Sequence, residues 1–203
     1  MNDIVETVLE SIPKAGLVVA EVSARHVHLT QADVEVLFGS GASLTPKRRL
    51  SQPGQFLSEE RVTLVGPRGR KERTAILGPT RAKTQIELSK SDCVELGIDA
   101  PVRESGDVDG SGAIIIEGPK GKLNLKQGAI IAHNHIHLVP ETAKAMNLQD
   151  KQRVSIELLT ERPVRFEDVI VRVSSSSCDR MHIDFDEANA ALVNGFTLGH
   201  VVR

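Results

Sequence analysis

The chain has 203 residues, a formal net charge of −2, 40% apolar and 26% charged side chains, no Trp or Tyr and only five Phe. That length holds one or two compact units, and the near-balanced charge removes the electrostatic basis for nucleic acid as a partner. No apolar run reaches membrane-spanning length, the first residues lack the basic and apolar regions of a secretory signal, and two cysteines make neither a disulfide framework nor a zinc-type pair, so a reducing interior is expected and no membrane partner.

In chain order, MNDIVETVLESI places Ile4, Val5, Val8, Leu9 and Ile12 on one helical face, before Pro13 stops the helix and Gly16 loosens the chain. Such a short stripe either packs on its own body or docks on a partner, and the pattern alone favours the first. From Leu17 the text becomes short, β-branched strands: LVVAEVS, RVTLVGP, TAILGP, TQIEL, AIIIEGP, AIIAHNHIHL, RVSIELL and VIVRV. VTLVGPRGR and IIIEGPKGK read as one hairpin written twice, proline presetting φ and the later glycine accepting positive φ. The helices are short and capped. Thr30 with Asp33 opens one that ends near Gly39, and Ser89 with Asp92 opens another that ends at Gly97. Pro140 is placed to begin a third, and Asp184 or Asp186 a fourth.

Two of these helices follow directly on VSARHVHLT and AHNHIHLVP, which share His-x-His-Leu. The repeated unit is therefore strand, His-x-His, turn, helix. Internal duplication follows, and with it a mainly β fold of two small β-barrels capped by short α-helices.

On a strand, residues i and i+2 share a face with Cα atoms roughly 6.5–7 Å apart, so His26/His28 and His135/His137 can each converge on one cation. Neutral imidazole suits zinc, and a catalytic ion takes three protein ligands, so each pair needs a third donor. His182, in RMHIDFDEANA, is a candidate. Glu87, in TQIELS, is either an outward strand residue or an inward carboxylate, which is costly unless a cation neutralises it. His133 shares strand parity with His135 and His137 and is a further ligand or a surface residue; His200 reads as tail. DVDGSGAIIIEG, from Asp107, begins like a calcium loop but carries Gly118 at its twelfth position. Phosphate-binding glycine loops and a nucleophilic-serine elbow have no match. The basic group Lys47, Arg48, Arg49, Arg68, Arg70, Lys71 and Arg73 reads as a solvated face.

Taken together, RHVHL, QPGQF, LGPTRAKTQIELS, LGIDAPVRESG, IIAHNHIHL and MHIDFDEANAA resemble the PduL family of phosphate acyltransferases, in order from about Leu17 to Asn194. The resemblance implies conversion of an acyl-CoA, propanoyl or acetyl, plus phosphate into an acyl phosphate and free CoA. It also implies two metal ions, usually zinc, lying between the two barrels. His26, His28 and Glu87 would hold one ion, and His135, His137 and His182 the other. Arg81 falls where the family keeps a phosphate-contacting arginine, while Val22, Ser23, Ala24 and Asn189 look like CoA contacts. The barrels are expected to interleave: residues 17–24 with 133–203 in one, and residues 25–132 in the other, with a small insertion near 39–59. Asn134 stands where the family usually carries an arginine.

Family members inside bacterial microcompartments carry a short amphipathic extension similar to residues 1–16. Encapsulation in the microcompartment lumen through shell or cargo thus becomes the expectation, with the cytoplasm otherwise; a homo-oligomer is compatible with all of this. Direct attack by phosphate is expected, since no protein nucleophile is evident. Two rivals are a two-metal thioester hydrolase, for which Glu87 is the one suitable carboxylate, and a non-enzymatic metal-binding scaffold, which would close each ion with four ligands.

Overall fold

The computed structural model describes residues 11–202. Residues 11–14 are helical, and the rest of the expected N-terminal amphipathic helix lies outside the described residues. Among the described residues no helix is long and apolar enough to cross a membrane.

The chain divides into two compact units. A terminal unit gathers the described residues up to Ser23 and from Asn134 onward; a central unit comprises Ala24–His133. Strand β1 (Leu17–Val22) belongs to the terminal unit. The central unit runs β2 (His26–His28), α1 (Gln31–Phe38), β3 (Pro46–Arg49), β4 (Phe56–Val65), β5 (Arg70–Gly78), β6 (Gln85–Glu87), α2 (Lys90–Leu96), β7 (Val102–Arg103), β8 (Gly112–Glu117) and β9 (Lys122–Ala132). The terminal unit resumes with β10 (His135–Leu138), α3 (Pro140–Ala145), β11 (Arg153–Leu159), β12 (Val164–Val173), β13 (Arg180–Ile183), α4 (Phe185–Ala190) and β14 (Phe196–Val202).

Each unit closes a six-stranded ring. The terminal barrel runs β10–β12–β11–β14–β1–β13 and back to β10. The central one runs β2–β5–β4–β8–β9–β6 and back to β2, with β3 added to β4 and β7 added to β9. Starting from the histidine-bearing strand, the junctions in both rings are parallel, three times antiparallel, parallel, then antiparallel. One barrel is therefore built twice, as the doubled motif required. Closure removes exposed edges, the standing hazard of short sheets. The two copies differ in where one strand comes from. β1 precedes β2 and β9 precedes β10 in the chain, yet β1 completes the terminal ring and β9 the central one. The lead strands have been exchanged.

Strand alternation builds each core. In β1, Val18 and Ala20 point inward, joining Ile136, Leu138, Ile156, Leu158, Val171 and Met181 in the terminal core. The central core gathers Val27, Leu29, Leu64, Ile76, Ile86, Leu96 and Ile116. With no Trp or Tyr available, the folding drive comes from such aliphatic side chains, each contributing roughly 1.5–3 kcal/mol when fully buried.

All four helix starts fall where the sequence signals them. Thr30 caps α1, Ser89 and Asp92 form a reciprocal box on α2, Pro140 opens α3, and Asp184 with Glu187 forms a second box on α4. The two Gly-Pro hairpins join β4 to β5 and β8 to β9, but their glycines serve a different purpose from the one expected. Gly69 and Gly121 are absent from the residues with positive φ. A side chain at Gly66 or Gly69 would strike the Leu96 or Glu95 carbonyl oxygen, and one at Gly118 or Gly121 the Leu37 or Val36 carbonyl oxygen, all inside 3.0 Å. Each hairpin instead seals a helix end: Arg68 N–H donates to Leu96 O at 3.0 Å, and Lys120 N–H to Leu37 O at 3.0 Å.

Two further readings change. AIIAHNHIHL is not one strand, because β9 ends at Ala132 and β10 begins at His135. At that break His133 N–H donates to Arg103 O, while Asn134 O accepts from Ile170 N–H. His200 is not tail: it lies in β14, opposite Leu17 and Glu157, where it helps close the terminal ring. Among the basic residues, Lys47 pairs with Glu59 and Arg70 with Glu117 at the surface, in keeping with a solvated face, whereas Lys71 departs from it: its side chain is 12% exposed and pairs with the buried Asp92.

Candidate functional site

In the central barrel, β2 lies antiparallel to β6 with His26 opposite Glu87 and His28 opposite Gln85. This register gathers His26, His28 and Glu87, whose donor atoms all lie within 4.8 Å of one another. The two imidazoles stand edge to face at 87°, with Nε2 atoms 3.2 Å apart, and His26 Nε2 is 3.5 Å from Glu87 Oε2. The edge of a tetrahedron around an ion with bonds of about 2.0–2.1 Å is roughly 3.3 Å, so the spacing fits zinc.

Proton placement agrees with the spacing. His26 Nδ1 donates to Ala24 O at 2.9 Å and His28 Nδ1 to Leu77 O at 3.2 Å. With both protons on Nδ1, both Nε2 lone pairs face the cluster, an arrangement that repels itself until a cation sits between them. Burial above all, with the positive charge of Arg81 adding to it, pulls the His28 imidazole well below its ordinary value, which keeps it neutral and able to ligate.

Glu87 is 15% exposed and turned into the cluster, which rules out the outward-facing alternative. Its Oε1 accepts from Gln85 Nε2 at 2.6 Å and from Ser105 Oγ at 3.0 Å, leaving Oε2 towards His26. Gln85 is itself pinned by the Gly106 N–H at 2.6 Å. Arg81 joins the same network through Ser105 Oγ at 3.3 Å. Burial draws its guanidinium down from the ordinary value, while Glu87 opposes that shift. Arg81 also lines an open pocket of about 220 Å³ with Pro53, Gly54, Gln55, Gly78 and Pro79. That is smaller than the roughly 300–1,000 Å³ of sites that enclose drug-sized ligands, and suits a small oxyanion. Sequence reasoning missed Gln85 and Ser105. Gln85 had a signal, since it shares the strand parity of Glu87.

In the terminal barrel the same geometry recurs. β10 lies antiparallel to β13 with His135 opposite His182, as His26 lies opposite Glu87. His135, His137 and His182 gather with donor atoms within 4.8 Å, and their ring centroids are 4.8, 5.5 and 5.8 Å apart. Three imidazoles with no carboxylate among them also suit zinc or a similar borderline metal. His133 is not part of this cluster. His182 Nε2 lies 3.0 Å from Glu21 Oε1, a partner the sequence did not reveal.

Of the other residues singled out, Val22 N–H donates to Gly195 O at 2.9 Å and Ser23 N–H to Ile183 O at 2.7 Å. Ala24 and Asn189 are exposed. The residue before each histidine pair also has a defined role. Arg25 Nη1 pairs with Asp92 Oδ1 at 2.9 Å, at the third residue of α2. Asn134 occupies the corresponding place in the other copy and hydrogen-bonds Glu187, the third residue of α4.

A family model described as phosphate propanoyltransferase matches residues 19–194. The chain is 43% identical over 203 residues to the phosphate propanoyltransferase of Clostridioides difficile, covering 100% of this chain and 96% of the relative. It is 43% identical over 200 residues to that of Thermotoga maritima, covering 98% and 95%. With that of Priestia megaterium the identity is 47% over 192 residues, covering 95% and 88%. A match this long, spanning both histidine clusters and Arg81, shows that the chain belongs to the phosphate propanoyltransferase family of acyltransferases.

Proposed function

We propose that the protein transfers a propanoyl or acetyl group from CoA to phosphate, giving an acyl phosphate and free CoA, and that it does so with two metal ions, zinc fitting best. The observation that carries this reading is the pair of imidazole nitrogens 3.2 Å apart, both with their protons directed away, beside a carboxylate linked through Ser105 to Arg81. His26, His28 and Glu87 would hold one ion, and His135, His137 and His182 the other. Such an ion supplies Lewis acidity towards a thioester carbonyl and a centre that accepts sulfur readily.

The remaining chemistry falls to the chain. Arg81 presents a planar fork that matches two phosphate oxygens, a charge-assisted contact that lysine cannot reproduce. Ser105 and Gln85 hold Glu87 and Arg81 in register, so the guanidinium meets phosphate in a fixed orientation. A phosphate oxygen forms the new bond to the carbonyl carbon, the carbon–sulfur bond breaks, and the phosphate proton ends on the CoA sulfur. The balance closes without a protein nucleophile. Contacts to CoA are assigned to Val22, Ser23, Ala24 and Asn189.

The test is CoA release from propanoyl-CoA and acetyl-CoA, with and without phosphate, on protein of measured metal content. Release that requires phosphate is expected; release without it would make the protein a hydrolase, and no release would leave a scaffold.

Residues 1–16 are proposed to direct the protein into a bacterial microcompartment by docking on shell or cargo. Fused to a fluorescent reporter in cells that make shells, they are expected to give punctate fluorescence. A diffuse signal would refute the assignment.

A further inference from the structure

Because the barrel is built twice with one pairing scheme, each position around one cluster has a counterpart around the other. His182 occupies the place of Glu87: each lies on the strand antiparallel to the first histidine of its pair, directly opposite it. One strand further round, the residue opposite Glu87 is Ile130 on β9, fully buried. The residue opposite His182 is Glu21 on β1. A carboxylate thus appears one strand further out in the copy whose third donor is an imidazole, and an aliphatic side chain fills that place where the third donor is already a carboxylate.

We propose that Glu21 is a positioning residue for the His135, His137 and His182 cluster, fixing the tautomer and orientation of His182 so that Nδ1 is its metal-binding nitrogen. The inference rests on the metal reading of that cluster given above. Glu21 Oε1 lies 3.0 Å from His182 Nε2, and a carboxylate can only accept, so the imidazole proton is drawn to Nε2 and the lone pair is left on Nδ1. The second carboxylate oxygen is 3.6 Å from Arg180 Nε, on the same strand as His182, which holds the carboxylate against it. A carboxylate behind a ligating imidazole raises its basicity and locks its ring. Both clusters then carry one negative charge to set against a dication. In the central cluster the charge belongs to a ligand, and in the terminal cluster it sits behind one.

The experiment is a zinc titration of the full, metal-stripped chain against a chromophoric chelator, which reads each site's affinity without any turnover. The unsubstituted chain is expected to bind two ions. Glu21→Ala is expected to keep one site unchanged and to weaken the other about 10–100-fold. Glu21→Gln, which retains an acceptor oxygen without the charge, is expected to fall between the two. With cobalt in place of zinc, the visible bands of one site alone should shift in Glu21→Ala, a signature that general loosening of the barrel would not produce. Two unchanged affinities in Glu21→Ala would overturn the proposal, as would equal weakening of both sites. A chain that binds one ion, or a His182→Ala variant that still binds two with unaltered affinity, would overturn the metal reading of this cluster and the role of Glu21 with it.

Discussion

Arg81→Lys is expected to fold, to keep its metal and to lose activity by on the order of 10²–10³-fold, the usual consequence of removing one well-placed group that stabilises developing charge. The loss follows from shape. Lysine retains the charge but offers a mobile point donor where the guanidinium gives a rigid fork, itself steadied by Ser105 Oγ at 3.3 Å. The reduction should appear largely in kcat if the fork orients phosphate for attack, and largely in the KM for phosphate if it only binds it. His28→Ala supplies the contrast: it removes one of two convergent nitrogens and is expected to lower metal content as well as activity, the latter by about 10³-fold or more. Steady-state kinetics alongside metal analysis of both variants checks this. Wild-type rates in Arg81→Lys would end its assigned role.

The second large effect concerns stability. Burial pushes the Glu187 carboxyl up to about 7, with Asp184 and Asp186 adding to the shift and hydrogen bonds from the Asp184 backbone and the Asn134 side chain opposing it. Between about 4.5 and 7 the folded chain therefore holds a proton that the unfolded chain releases. Stability from this group is fully present below the lower value and is lost as pH rises through the higher one, amounting to roughly 3 kcal/mol. In the other copy of the barrel a cation stands at the same place, Arg25 lying 2.9 Å from Asp92. Glu187→Gln retains the capping geometry without the ionisation. It is expected to match the parent in Tm near pH 5 and to exceed it by several degrees at pH 8. Asn134→Arg should give the same gain at pH 8 by supplying the missing cation. Parallel pH profiles for parent and Glu187→Gln would contradict the shift.

Much of this fold is legible locally. Cap residues such as Thr30, Ser89 and Asp184 fix helix starts through bonds spanning three residues, and the β-branched runs fix strands through their own alternation. What a local reading mistakes is whatever depends on distant partners. His200 looks like tail until Leu17 is known to lie opposite it. The hairpin glycines look like turn formers until the helix ends at Leu37 and Leu96 are placed against them. The candidate site divides the same way. Each His-x-His pair is visible because strand geometry alone puts both rings on one face, whereas Glu21 meets His182 across 161 positions and leaves no trace in spacing. Gln85 lies between these cases, exposed by parity but not by chemistry.

The exchange of lead strands sets an order on biosynthesis. When the ribosome has made Ala132, every strand of the central ring exists, and that ring has all the partners it needs. β1, made before any of them, still has none: its neighbours β13 and β14 follow every other described strand in the chain. Throughout that interval Leu17, Val18, Val19 and Ala20 remain an unpaired apolar edge, the kind of segment that chaperones hold and that premature termination leaves stranded.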